Sequence, residues 1–389
     1  MIDTVVLMMD YTQFEIKQHD LFSPPTEAVF LRPYSVRFGK NKVVKFINNP
    51  TPKQKKETYW PRLTLMASPA RAGTGLAVQL KVEFSAPKML HGNNFDELID
   101  IDFGELVNTL TDRMGKMGVK VTPESLSQSQ VSTIHYSKNI MLKDFTRCSM
   151  VMQELAKLNV WKRLDINSKD FRDEGHVLKW HANSFEICVY DKVKDLQKAR
   201  ISPKRAFEDN PECQLGLFEK MKKQQLQVIR LEIRLNTRRK ITSLLKSLGE
   251  EGDTSFNMLF QKRLAAKVLT HYWQELMAQQ SMAAILEADL RNPAQFAEAI
   301  MVENPNMSAS KVLQTVGATL LLQAKGEKSV QVLLDKYSTK TSYRLIKDCK
   351  DHQPSTTPRW AALQQVQQGI KDFQSIRLGN MVKIEQGEM

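Results

Sequence analysis

The sequence predicts an α+β fold: an antiparallel sheet with flanking helices, followed by an all-α C-terminal domain. Three observations support this. Runs of alternating apolar and polar residues recur through the first 245 residues. Hairpin-type turns separate them, with helix-period segments between. Beyond about residue 245 the strand signals stop and only helical periodicity remains. The expected division is 1–245 as the α+β domain, 246–350 as a helical domain, and 351–389 as a linker with a terminal helix.

Residues Thr4 to Met9 form a short buried-type strand, and Pro24-Pro25 marks a loop. Ser35 to Phe38 and Val43 to Ile47 read as a hairpin across Gly39-Lys40-Asn41. A basic loop at Lys53 to Lys56 precedes a second hairpin, Arg62 to Met66 with Leu76 to Phe84. The segment Ser85 to Asn94 reads as a loop dense in hydrogen-bonding groups. It suits either a phosphate contact or a simple turn into the helix expected over Asp102 to Met117. Gln130 to His135 is the next strand, and Asp144 to Leu158 an amphipathic helix.

The stretch 175–194 reads as a hairpin: Val177 to His181, a turn at Ala182-Asn183-Ser184, then a strand from Phe185 to Tyr190. Its period of two puts Phe185, Ile187 and Val189 on one face and Glu186, Cys188 and Tyr190 on the other. A helix is expected after Tyr190, with Lys192 and Lys194 in its first turn. A phenol between cations at a strand-to-helix junction is either a nucleophile or a packed strand-end tyrosine. After cation-rich stretches at Lys192 to Arg205 and Glu219 to Lys223, Gln227 to Thr237 alternates cleanly. Val228, Arg230, Glu232 and Arg234 share a face that is either functional or a solvated surface with a salt bridge.

Helices are then expected over Met258 to Gln279, Pro293 to Met301, and Ser308 to Ala324, the last capped by Ser308. Val330 to Tyr337 and Thr341 to Cys349 flank a short turn, a spacing that fits a helix-turn-helix or a plain bundle. Arg344 and Lys347 lie in the second of these helices. Asp351 to Pro358 reads as a linker before a Gln-rich helix from Arg359 to Ile376.

With 389 residues and a 42% hydrophobic fraction, ordinary cores are within reach. A formal net charge of +13 favours a polyanionic partner, nucleic acid first and an anionic membrane surface second. The N-terminus MIDTVVLMMDY carries Asp3 and reads as a strand, not a signal peptide, and no apolar run approaches a membrane span. Four scattered cysteines without a CxxC pair argue against a disulfide framework or zinc ribbon, and a reducing cytoplasm fits. P-loop, GxSxG, HExxH and dinucleotide fingerprints are all missing from the sequence. What remains is a tyrosine, a few histidines and carboxylates on strands, and many cations. That set suits DNA strand transfer, in which a phenolate attacks a backbone phosphorus. With a pKa near 10, only about one tyrosine in a thousand is ionised at neutral pH, so a neighbouring lysine and a divalent cation are expected to assist.

Five short stretches, in order, resemble the gene II/X family of replication initiators from filamentous phages and related plasmids. They are MIDTVVL, Ser85…Lys88-x-Leu90-x-Gly92-x-Asn94, Val131-Ser132-x-Ile134, Trp180…Val189-Tyr190-x-Lys192, and Arg230-x-Glu232-x-Arg234-x-x-Thr237-Arg238. The resemblance spans roughly residues 1 to 245 and weakens through about residue 350. It implies an HUH/RRM-like nuclease core that nicks one strand of origin DNA and leaves a 3'-hydroxyl for a host polymerase. It also implies rejoining of the displaced strand, as in Rep_trans-type initiators, in the cytoplasm of a bacterial host.

By that match Tyr190 is the nicking tyrosine and Lys192 its companion, with Mg2+ or Mn2+ as cofactor. His135 and Glu232 are the expected metal pair, with Glu83, His91, Asp165, His181 and Glu186 as alternates. Contacts to double- and single-stranded DNA fall on Lys88, His91, Asn94, Lys194, Arg230, Arg234 and Arg238, and host helicase and polymerase are further partners, with no membrane. Two departures stand out. No His-x-His occurs in the chain, and Thr133-Ile134-His135 replaces an arginine, a hydrophobic residue and an aspartate of the phage relative. The competing expectations are an origin-binding or repressor protein that does not cut, and an initiator that melts DNA without a nick. If the nickase expectation holds, Tyr190 sits beside His135 and Glu232 on one sheet face, with Glu186 pointing the same way.

Overall fold

The computed structural model of the chain describes residues 1–377 except 32, 34–35, 39–41, 71–74, 144–145, 159–165, 173–174, 202–225, 278–289, 291, 337 and 353–360. Among these residues the strands are β1 (Ile2–Asp10), β2 (Phe14–Ile16), β3 (Val44–Asn48), β4 (Arg62–Pro69), β5 (Leu76–Ser85), β6 (Val119–Val121), β7 (Gln130–Met141), β8 (Ser168–Arg172), β9 (Val177–His181), β10 (Phe185–Asp191) and β11 (Val228–Leu235). Nine form one sheet in the order β3-β4-β5-β1-β7-β11-β10-β9-β8, with every neighbouring pair antiparallel. The short strands β2 and β6 pair separately.

The sheet separates its faces by the period of two. Val5, Leu7, Ile134, Tyr136, Ile187, Val189, Leu231 and Ile233 are buried in one hydrophobic core. Helices Arg238–Ser247, Lys262–Met277 and Ala361–Asp372 contribute to that core, so residues well beyond 245 help bury the sheet. The helix Ala361–Asp372 reaches β7 closely at Gly369, where a Cβ would lie 2.6 Å from Ile140 Cγ2. Its Gln365 accepts a 2.7 Å hydrogen bond from the Lys143 backbone. Arg359 and the linker residues 353–358 lie outside the described residues.

Several elements differ from the sequence expectations. The basic stretch at Lys53 to Lys56 is helical, because Thr51 caps Pro52–Glu57 and Pro52 is preset for the first turn. The expected loop after Ser85 holds the helix Ala86–His91, started by Pro87 and stopped by Gly92 in the left-handed region at φ 68°. The single helix expected from Met258 is instead Phe256–Leu259 followed by Lys262–Met277. Strand β7 runs six residues past the predicted end at His135, to Met141, because β11 pairs along it from Ile134 to Met141. The proposed turn residues Gly39 to Asn41 and the cationic run Glu219 to Lys223 lie outside the described residues.

In the C-terminal region, helix Ala309–Lys325 is capped by Ser308, whose side chain accepts from the Lys311 backbone. It packs with helices Glu327–Asp335 and Thr339–Asp351, and Tyr343, Arg344 and Lys347 project from the last of these into solvent. Among the described residues, no helix is long and apolar enough to cross a membrane.

Candidate functional site

The polar face of the sheet is assembled by register. Tyr190 pairs with Arg230, Cys188 with Glu232, and Glu186 with Arg234 across β10 and β11. On the other side of β11, Arg234 pairs with His135 and Glu232 with Ser137. Side chains at paired positions share a face, so Tyr190, Glu232, Arg234, His135 and Glu186 gather there.

Strand β1 adds a residue that alternation alone sends elsewhere. Ile2 pairs with Tyr136 and Val5 with Ile134, so Asp3 and Thr4 together stand opposite His135 alone. Two residues against one is a β-bulge, which re-aims side chains. Asp3, His135 and Glu232 consequently each offer a ligand atom within 4.8 Å of the others.

Glu232 is the centre of the cluster. It is 1% exposed. Its Oε2 accepts from the Tyr190 hydroxyl at 2.9 Å, and its Oε1 accepts from Arg234 Nε at 2.9 Å and lies 3.3 Å from His135 Nδ1. Burial alone would raise its pKa, but Arg234, His135 and Arg230 outweigh that and hold the carboxyl well below its ordinary range. Tyr190, 8% exposed, is pushed the other way: burial first, then the Glu232 charge, keep the phenol protonated far above its usual range. The resting pair is therefore a neutral phenol donating to a carboxylate.

Two buried cations complete the interior. Lys192 opens the helix Lys192–Ile201, is fully buried, and holds its Nζ 5.7 Å from the Tyr190 ring centroid and 3.4 Å from Asp195. Burial, followed by the charge of Arg230, lowers its pKa to about 8. Arg230 was expected among the DNA contacts, but its guanidinium points inward. It donates to the Asn94 carbonyl at 2.6 Å and Ser137 Oγ at 2.7 Å, and lies 3.5 Å from Asp3 Oδ1. The reason is cover: the 92–97 segment lies over this end of the polar face, anchored by Asn139 Nδ2 donating to the Phe95 carbonyl at 2.7 Å.

The network continues toward the sheet edge. Arg234, partly exposed, also reaches Glu186 at 3.4 Å, and Glu186 lies 3.6 Å from His181 Nδ1. His181 Nε2 is 3.0 Å from Asp170, which pairs with Arg172 at 2.6 Å. His181 and Glu186, alternates for metal binding, are thus engaged in a chain of polar side-chain contacts over β8, β9 and β10. Glu83 pairs with Lys81 at 2.8 Å, and Asp165 lies outside the described residues.

The remaining sequence candidates are dispersed. Lys88 stands 5.9 Å above the Tyr59 ring, beside a cavity on the β4–β5 side. His91 Nε2 and Asn94 Oδ1 are buried without a hydrogen-bond partner. Lys194 contacts His176 Nε2, and Arg238 donates to Thr254 Oγ1 at 3.1 Å at the start of its helix. Asp3 carries no site signal in the sequence, where it stands only as a charge unsuited to a signal peptide.

Whether a cation fits is tested by Asp3 itself. Its Oδ1 is buried and makes no hydrogen bond, the 3.5 Å approach of Arg230 being an ion pair only. An acceptor left open beside an imidazole and a second carboxylate is a donor set suited to a divalent ion. Compared with family models, curated proteins and solved structures, the chain matches none.

Proposed function

We propose that the chain is a metal-dependent, site-specific DNA nickase and strand transferase that initiates rolling-circle replication of a phage or plasmid. The observation that carries this reading is the 2.9 Å hydrogen bond from Tyr190 to Glu232 within the Asp3–His135–Glu232 cluster. The net charge of +13 supports a nucleic-acid substrate, and the resemblance to filamentous-phage initiators supports the reaction class.

Asp3, His135 and Glu232 would hold Mg2+ or Mn2+, which when bound supplies Lewis-acid stabilisation of charge on the phosphate oxygens. The chain's own residues do the rest. Glu232 Oε2 orients the phenol, and the phenol gives up its proton to solvent when that hydrogen bond opens. Once deprotonated, the Tyr190 oxygen bonds to phosphorus as the bond from phosphorus to the 3'-oxygen breaks, giving a 5'-phosphotyrosine and a 3'-hydroxyl. Lys192, buried with its Nζ 5.7 Å from the Tyr190 ring centroid, balances the phenolate charge, and the leaving 3'-oxygen, which departs on the far side of phosphorus, takes its proton from solvent. Asp3, His135 and Arg234 are the partly exposed members of the cluster, so the phosphate approaches from that side. Attack requires the Tyr190–Glu232 hydrogen bond to open.

That last requirement favours a second reading, an origin-binding protein in which Tyr190 is a structural donor. The two differ in one assay. Supercoiled DNA of the parent replicon incubated with protein and Mg2+ or Mn2+ should give nicked circles with protein joined to a 5' end. Tyr190→Phe should lose them while still retarding the DNA on a gel. Undiminished nicking by Tyr190→Phe, or none by the wild type, would sink the nickase reading.

A further inference from the structure

The helix Thr339–Asp351 turns one side to the core and the other to solvent. Its Ile346 and Cys349 are buried in the same core as the sheet, together with Ala318, Leu322 and Val330 of the two preceding helices. The three helices pack on one another, so the outer side of the last is held in place from beneath. That outer side carries Lys340, Tyr343, Arg344 and Lys347. All four are exposed, and their spacing of three and four residues sets them in one row. Tyr343, in the middle, is 65% exposed.

Among the described residues, no ion pair neutralises that row. The side chains of Lys340, Arg344 and Lys347, and of Lys336 just before the helix, have neither a salt bridge nor a hydrogen bond. Nearby carboxylates are directed elsewhere: Asp335 accepts from the Ser342 hydroxyl, and Asp348 lies 3.5 Å from Lys311. Asp351, one turn beyond Lys347, is the row's one acidic residue. Like charges three and four residues apart repel and oppose the helix that carries them. An anion lying along the row relieves that repulsion.

The shape of the row selects the anion. From Lys340 to Lys347 it runs about 10 Å, the rise of about three base pairs. A helix with its side chains is about 10–12 Å across, which matches the major groove of B-DNA. Residues 336–338 separate this helix from Glu327–Asp335, the short spacing with which a helix-turn-helix sets its second helix into the groove. A single strand is held by several rings on which its bases stack, whereas Tyr343 is the one aromatic residue of this helix. Insertion into an anionic membrane needs an apolar face beside the cations, and here Ile346 and Cys349 are turned inward.

We infer that the helix Thr339–Asp351 is a duplex-DNA contact, with Lys340, Arg344 and Lys347 on phosphates and Tyr343 donating to a phosphate or a base edge. It anchors the duplex through residues that take no part in the Tyr190 cluster. The inference rests on nucleic acid as the partner, but not on cleavage.

The test uses the full chain and a fluorescein-labelled DNA duplex, with anisotropy read across a salt series. Lys340→Gln, Arg344→Gln and Lys347→Gln should each weaken binding about five- to tenfold and lower the slope of log affinity against log salt by about 0.9. The triple variant should lose more than about a hundredfold, with a melting curve no lower than that of the wild type, because the repulsion along the row goes as well. Lys246→Gln, which removes one exposed charge from the helix Arg238–Ser247, is the comparison. Wild-type duplex affinity in the triple variant would overturn the contact. So would a loss of equal size in Lys246→Gln, which would make the effect one of net charge, or a loss confined to oligothymidylate or to vesicles of phosphatidylserine and phosphatidylcholine. Nicking is scored separately: Tyr190-dependent nicking with undiminished duplex binding by the triple variant rejects this contact alone, and row-dependent duplex binding without nicking rejects the nickase alone.

Discussion

Replacing Glu232 by Gln keeps the shape of the side chain and removes the charge around which the site is built. The carboxylate is buried and accepts from Tyr190 and Arg234 at 2.9 Å each, with His135 at 3.3 Å. A glutamine oxygen can still face Arg234, and its amide can donate to the Tyr190 oxygen, so packing and one or two hydrogen bonds survive. What is lost is the counter-charge to Arg234 and to buried Arg230. Leaving one partner of a buried ion pair uncompensated costs about 3–5 kcal/mol. Urea unfolding followed by circular dichroism at pH 7 should show a loss of that size for Glu232→Gln. The double variant Glu232→Gln/Arg234→Gln should recover about 2 kcal/mol of it, because the unpaired cation goes as well. The folded-state pKa of Glu232 is depressed below the ordinary 4.5, so its stabilisation is present above pH 4.5 and fades as the pH falls through the folded value. The gap between wild type and Glu232→Gln should narrow accordingly below pH 4.5. A loss under about 1 kcal/mol at pH 7, or strict additivity in the double variant, would refute the reasoning.

Lys192 predicts the opposite pH dependence. Its pKa falls from 10.5 to about 8 on folding, so the unfolded chain binds the proton more tightly and this residue opposes folding fully below pH 8. That penalty, roughly 3 kcal/mol, is relieved as the pH rises from 8 to 10.5. The stability of Lys192→Met relative to wild type should therefore fall by about that amount between pH 7.5 and 10.5, measured by urea unfolding at each pH. At the helix–sheet contact, Gly369→Ala would put a methyl 2.6 Å from Ile140 Cγ2 and should cost about 1–3 kcal/mol in the same assay, despite alanine's better helix propensity.

The sequence alone determined the features that depend on local period and turn chemistry. Alternation in 185–190 and 228–235 fixed which side chains face the core, and β10 and β11 carry Tyr190, Glu186, Glu232 and Arg234 on the polar side as that alternation requires. The hairpin turn before Phe185 and the Ser308 cap were likewise legible, because each rests on residues close in sequence. Tertiary structure decided which strands lie side by side, and with that the composition of the site. Tyr190 meets Glu232 across 42 residues, and Arg230 meets the Asn94 carbonyl across 136. A bulge in the β1–β7 pairing brings Asp3 to His135, although strict alternation from Val5 would send it to the core. Burial of Arg230 and Lys192 was equally invisible, since the covering 92–97 segment and the ladder beneath it come from separate parts of the chain. A charged side chain reads as exposed in a sequence until the fold supplies a buried counter-charge, and here that counter-charge is Glu232 together with Asp3.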